Sequence, residues 1–145
     1  MPTLFRPMKT GADKLPVAGS SSRELGVRVP PNLSADVEVD ENQFVVLNGQ
    51  GMSVAEHWQY LPGHLIPKRL KSRFPAATGA NSLACFKMGV GAFVPDALSD
   101  TLRLVLKQGN SHGGNVIPSQ QIHIDEFQKA LAATRSNWEI DEELP

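Results

Sequence analysis

The stretch "TLRLVLKQGNSHGGNVIPSQQIHIDEFQKALAATR", residues 101–135, decides the fold class. Its first seven residues alternate apolar and polar side chains, the period of a half-buried strand. "KQGN" breaks the run with turn residues, and "NVIP" then reads as a last short strand behind a loop that carries His112. From Ile124 the period changes. Ile124, Phe127 and Leu131 fall at i, i+3 and i+7 with Ala130 on the flank, which predicts one apolar stripe on a helix over 124–135. His123 stands at the N-cap with Glu126 three residues on, and Ile122 and Phe127 are placed to staple the entry. Asp125 and Glu126 in the first turn and Arg135 in the last complement the helix dipole. Strand, turn, strand and a capped helix in this order predict an α+β domain: a small twisted, mainly antiparallel sheet with the helix packed on it.

The rest of the chain is less regular. "SLACFKM" (82–88) alternates as a strand, and "VPDALSD" (94–100) reads as a turn or a single helical turn. Phe44–Leu47 form an apolar, β-branched run that "NGQG" stops. In "SVAEHWQYL" Ser53 and Glu56 have capping-box spacing, so one or two helical turns are expected there. Val27–Val29 and Val37–Val39 are marginal strands. Prolines at 2 and 7 suggest that "TLFRPM" (3–8) is a short edge strand presenting Leu4 and Arg6 to one side. Residues 1–138 are expected to form the single domain, and the acidic "EIDEELP" (139–145) to fray.

Composition narrows the function classes. The 145 residues carry a net charge of −1, so no nucleic-acid partner is signalled by bulk charge. The one basic cluster, "PKRLKSR" (67–73), reads as a solvated loop. With one cysteine, Cys85, the chain has no internal disulfide and no cysteine-based zinc site. His57 and His64 are separated by proline and glycine and have no well-placed carboxylate or thiol, so no metal site is expected. The N-terminus lacks a secretory pattern and no apolar run approaches a membrane span, which points to the cytoplasm. "GVGAF" (89–93) lacks the third glycine and the following helix of a dinucleotide fingerprint.

Three side chains remain as candidates. Arg6 has the planar fork that holds phosphate or carboxylate in a bidentate manner. Ser53 follows the glycine-bearing turn in "GQGMSV"; no G-x-S-x-G elbow surrounds it, which argues against a hydrolase nucleophile and leaves capping or positioning. His112 is followed by glycines that would let a ligand approach the backbone. A phosphoryl-transfer or RNA-modifying site built from Arg6, Lys68, Arg69 and His112 is a weaker reading of the same residues.

Five short pieces occur in a suggestive order: Leu4-Phe5-Arg6, Gly51-Met52-Ser53-Val54, Leu61-Pro62-Gly63-His64 with Pro67, Phe93-Val94-Pro95 with Leu98, and His112-Gly113 leading to Ile117-Pro118. This pattern resembles the small type VI secretion toxins that have an ADP-ribosyltransferase-like fold, together with related small bacterial proteins, and it spans residues 3–135. The resemblance implies that Arg6, Ser53 and His112 line a cleft at the split of the sheet and act as its catalytic groups. It also implies that His64 joins them in holding NAD or a related nucleotide. The first-strand arginine would contact the dinucleotide and the serine would steady the nicotinamide–ribose. An acid would stabilise the oxocarbenium ion, but no glutamate falls at an evident catalytic position, and the toxins place an aromatic where this chain has Gly113. A cognate immunity or antitoxin protein and delivery to a target cell by a secretion apparatus are implied as well. The alternative is a non-catalytic interaction protein, an adaptor or a toxin partner, on a similar scaffold.

Overall fold

The computed structural model describes residues 1–143. Seven strands form one sheet: β1 (Leu4–Lys9), β2 (Met52–Ala55), β3 (Leu83–Met88), β4 (Asp96–Ala97), β5 (Leu102–Lys107), β6 (Asn110–Pro118) and β7 (Glu139–Ile140). Their order is β4-β5-β6-β2-β1-β3-β7, with every pair antiparallel. One α-helix, α1 (Ile124–Ala132), lies between β6 and β7 in the chain. The α+β class and the mainly antiparallel sheet are as the sequence predicts.

Strand alternation divides the apolar residues between two clusters. Leu4 and Met8 of β1, Met52 and Val54 of β2, Ala84, Phe86 and Met88 of β3, Leu102 and Leu104 of β5 and Val116 of β6 share the larger core with Ile124, Phe127, Leu131 and Trp138. The opposite alternation sends Phe5 and Cys85 into a smaller cluster with Trp58, Ile66, Leu70 and Ala77. The three residues that predict the helix stripe are therefore the ones it buries.

β1 is not the edge strand its prolines suggest. It pairs with β3 over all six residues and meets β2 at Phe5↔Ala55 alone. Lys9 N–H donates to Arg23 O on the β2 side, so by alternation the missing N–H of Pro7 falls on that side too, beyond the reach of β2. Proline costs the ladder nothing there. The near-absence of pairing also leaves β1 and β2 splayed below Phe5.

Several local expectations need correction. Ser53 is a β2 residue, not a helix cap; the only helical structure in that region is a 3-10 turn, Trp58–Tyr60, capped by His57, whose Nδ1 accepts from Gln59 N–H at 3.3 Å. Its burial pulls the His57 pKa below the usual value, which suits this acceptor role. α1 ends at Ala132, three residues early, and Arg135 leaves the helix to hold both Asp13 carboxylate oxygens at 2.7 and 2.8 Å. His123 caps through Asp125 N–H at 3.1 Å. Val27–Val29 has no strand pairing, and Val37–Val39 and the run 44–47 form only isolated bridges, Val39↔Val45 and Phe44↔His123. Asp96–Ala97, expected in a turn, pairs with β5.

The tail is ordered over 139–143. β7 pairs with β3, Asp141 N–H donates to Cys85 O at 2.9 Å, and Glu143 O accepts the Trp58 indole N–H at 2.9 Å. Residues 144–145 lie outside the described residues.

His112 sits in a strand rather than a loop. The turn is Gln108–Gly109, with Gly109 at φ +76°, a conformation that only glycine adopts at little cost; a Cβ there would meet no atom within 4 Å. β6 then runs without a break to Pro118. Its register against β5 shifts from Leu106↔Gly114 to Lys107↔Asn110, so residues 111–113 have no β5 partner; of these, Gly113 pairs with Ala55 of β2, and His112 O accepts the N–H of Glu56, just past the end of β2.

Candidate functional site

The splay between β1 and β2 opens a cleft of about 320 Å³ lined by Arg6, Ser22, Arg28, Asp36, Ser53, His64 and Lys107, among others. Arg6 is 4% exposed and the one buried charged residue of the described chain. Its guanidinium crosses the gap in the sheet: Nη1 donates to Ser53 O at 2.7 Å, Nε and Nη2 to Glu24 O at 3.2 and 2.9 Å, and Nη2 to Ser22 O at 3.2 Å. The carbonyls come from β2 and from the polar loop after β1, so Arg6 replaces the hydrogen bonding that β1 and β2 lack. Burial pulls its pKa down to about 10, with Asp36 opposing and Arg28 adding to the fall. It therefore keeps its charge at neutral pH.

Lys107 reaches the same cleft from the end of β5. Its Nζ lies 2.6 Å from Ser53 Oγ. Partial burial and the neighbouring Arg6 lower its pKa, while Asp36 raises it. The path of the lysine stem explains Gly113: a Cβ there would stand 3.3 Å from Lys107 Cδ and 2.8 Å from Asn110 Nδ2. The missing side chain at 113 leaves room for the lysine stem.

Arg28 and Asp36 close another wall. Asp36 Oδ2 accepts from Arg28 N–H at 2.7 Å and from Nε at 3.2 Å, and Oδ1 accepts from Nη2 at 2.8 Å. That fork raises the Arg28 pKa further. Three cations thus face one carboxylate, in a chain whose net charge is −1. A partly enclosed concentration of positive charge is an environment suited to phosphate or carboxylate groups.

Of the residues singled out in the sequence, Arg6, Ser53 and His64 come together here. His112 does not line this cleft. Its neighbours Gly113 and Asn115 pair with Ala55 and Ser53, so His112 takes the opposite alternation from the residue beside Ser53. It joins a separate cluster: Nδ1 lies 2.6 Å from Glu56 Oε2, its main-chain O accepts Glu56 N–H at 2.9 Å, and its ring stacks on Tyr60 with centroids 3.9 Å apart and planes within 1°. Of the three side chains expected to converge, Arg6 and Ser53 share this cleft, alongside His64 and Lys107, and His112 lies outside it. Lys68 and Arg69 are also elsewhere, and Arg69 is held by Glu142, Asn81 O and Leu83 O.

Lys107, Arg28 and Asp36 were not legible as site residues. Lys107 ends an alternating strand, and Arg28 and Asp36 are ordinary surface types in a weak strand and a loop; nothing in their spacing signals a cleft. Among the described residues no group of three His, Cys, Asp or Glu side chains is placed to hold a metal ion, and no helix is long and apolar enough to cross a membrane. Comparison with known protein families, curated proteins and solved structures yields no match for this chain.

Proposed function

We propose that the chain is an ADP-ribosyltransferase-like toxin domain that binds NAD or a related nucleotide in the Arg6–Ser53–Lys107 cleft. The observation that supports it most is the gathering of Arg6, Arg28 and Lys107 around a cavity with one acid. The diphosphate would lie against these cations, and Ser53 and His64 would steady the adjoining ribose. At about 320 Å³ the cleft is near the lower end for small-molecule sites, room for part of a dinucleotide with the remainder in solvent. Asp36 is the cleft's carboxylate, and Arg28 holds both of its oxygens. That feature favours the binding-only form of the reading, in which a nucleotide is held without transfer. A cognate antitoxin or immunity protein would then cover the cleft mouth.

Titration calorimetry with NAD at low salt tests the binding. The wild type is expected to bind, with affinity falling as salt is raised. Lys107→Met, which keeps the stem and removes the charge, is expected to bind about tenfold more weakly, equivalent to about 1.4 kcal/mol. Absence of both binding and nicotinamide release in the wild type would remove the NAD reading. Expression without a neighbouring partner gene reads the toxin half: growth arrest is expected, with relief by Lys107→Met.

A further inference from the structure

The closest polar contact in the cleft joins a hydroxyl to an amine. Lys107 Nζ and Ser53 Oγ are 2.6 Å apart, within the reach at which a lysine exchanges a proton with a serine. We propose that Ser53 and Lys107 form a nucleophile–base pair for acyl transfer, acting on small esters that carry an anionic group. This goes beyond nucleotide binding and does not depend on it.

Three features of the site support the pair. Ser53 is fixed from both sides of β2: its carbonyl oxygen accepts from Arg6 Nη1, and its residue position is paired with Asn115 of β6. Lys107 is held in place by the Gly113 gap, which lets its stem cross β6 to reach Oγ. The groups facing the amine are Arg6 on β1, Arg28 and Asp36 in the loop region after it, and His64 in the 61–65 segment. Desolvation, and next Arg6, favour the neutral amine and Asp36 opposes it, with a net fall in pKa. A neutral Lys107 is the form the chemistry requires. A serine activated by lysine needs no strand-to-helix elbow, so the lack of G-x-S-x-G around Ser53 is no obstacle.

In the ammonium form Nζ donates to Oγ; in the neutral form the same contact reverses, and Oγ–H donates to Nζ. As Oγ bonds to the acyl carbon, its proton passes to Nζ and the carbonyl π pair moves onto oxygen. Arg6, whose Nη1 makes one hydrogen bond of the two its protons allow, supplies positive charge beside that oxyanion. Collapse breaks the bond to the leaving alkoxide, which takes the proton from the Lys107 ammonium. Water then attacks the acyl-serine with Lys107 again as base, releasing the acid and restoring Ser53. Arg28, with its charge shared by Asp36, and Arg6 favour a substrate bearing a carboxylate.

The test uses the full chain and two nitrophenyl esters, the neutral acetate and the anionic hemisuccinate. Peptide mass spectrometry is expected to place the succinyl group on Ser53, and the rate of nitrophenolate release is expected to be at least about tenfold higher for hemisuccinate than for acetate. Ser53→Ala should abolish the adduct, and Lys107→Met should slow release by about 10²–10⁴-fold, the usual contribution of a general base. The rate should also climb with pH as Lys107 loses its proton. An adduct on Lys107 Nζ, no adduct in the wild type, or unchanged release in Ser53→Ala would overturn the proposal. The wild-type adduct map does not depend on any variant folding. NAD binding is measured separately, so failure of either reading is distinguishable from failure of the other.

Discussion

Gly113 and Gly114 stand side by side in β6, but they are needed for different reasons. A Cβ at 114 would come within 2.8 Å of Val105 O and 2.9 Å of Leu104 Cδ1, so it would press on the neighbouring strand's backbone. A Cβ at 113 would meet only the side chains of Asn110 and Lys107 at its closest approaches. Side chains can move and a paired strand cannot. Gly114→Ala is therefore expected to cost about 1–3 kcal/mol of stability, the usual range for overpacking, readable as a lower urea midpoint. Gly113→Ala should leave the midpoint close to that of the wild type but displace the Lys107 stem, weakening NAD binding several-fold and slowing ester cleavage. A variant at 113 that binds as the wild type does would show that the lysine's route over this glycine is immaterial to the cleft.

At the scale of elements, β3 shows how a sequence pattern becomes a chemical environment. Both of its faces are covered, because Phe86 and its alternates enter the larger core while Cys85 enters the smaller one. Burial, and next the nearby Glu142 carboxylate, push the Cys85 thiol up to about 12 from its ordinary 9.0. A thiol whose pKa is raised on folding contributes stability that is fully present below pH 9.0 and is lost as pH rises through 9.0 toward 12. Cys85→Ala should thus flatten the fall in unfolding free energy above pH 9, and native Cys85 should resist a disulfide reagent at pH 8 until the protein unfolds; rapid native labelling would contradict this. β3, β5 and α1 were legible in the sequence because each has several residues that repeat one period and a cap or turn at its end. β2 was not, since its four residues run straight into "EHWQYL" and share a capping-box spacing. The central place of β1 was hidden for another reason: Pro7 argues for an edge unless one knows that β2 stops short of it. Arg6 and Ser53 could be nominated from residue type and local context, whereas Lys107 reaches them only through a register shift that no local spacing encodes.

For the molecule as a whole, the smaller core has no long helix over it and depends on the end of the chain for closure. Residues 139–143 lie along β3 and touch three separate parts of that cluster's cover. β7 pairs with Phe86 and Lys87, Glu143 O accepts the N–H of the buried Trp58 indole, and Glu142 accepts from Arg69 at 2.7 Å while its carbonyl accepts from Arg73 at 2.9 Å. These contacts differ in weight. The Arg69–Glu142 pair is partly solvated, with Arg69 37% exposed, so Glu142→Ala is expected to cost no more than about 1 kcal/mol. Removing residues 139–145 does more: it strips the partner from a buried indole N–H, a loss of about 1–3 kcal/mol by itself, and uncovers the edge of β3 next to Cys85. The truncated chain should unfold at distinctly lower urea than Glu142→Ala, and its Cys85 should react at pH 8 under conditions where the full chain's does not. The larger core keeps all of its buried side chains, Phe127, Leu131 and Trp138 among them, and loses only the β7 pairing at Phe86, so the far-ultraviolet signal of α1 should persist. Equal urea midpoints for the truncation and the wild type would mean that the sheet and its 3-10 turns close the smaller core without the tail.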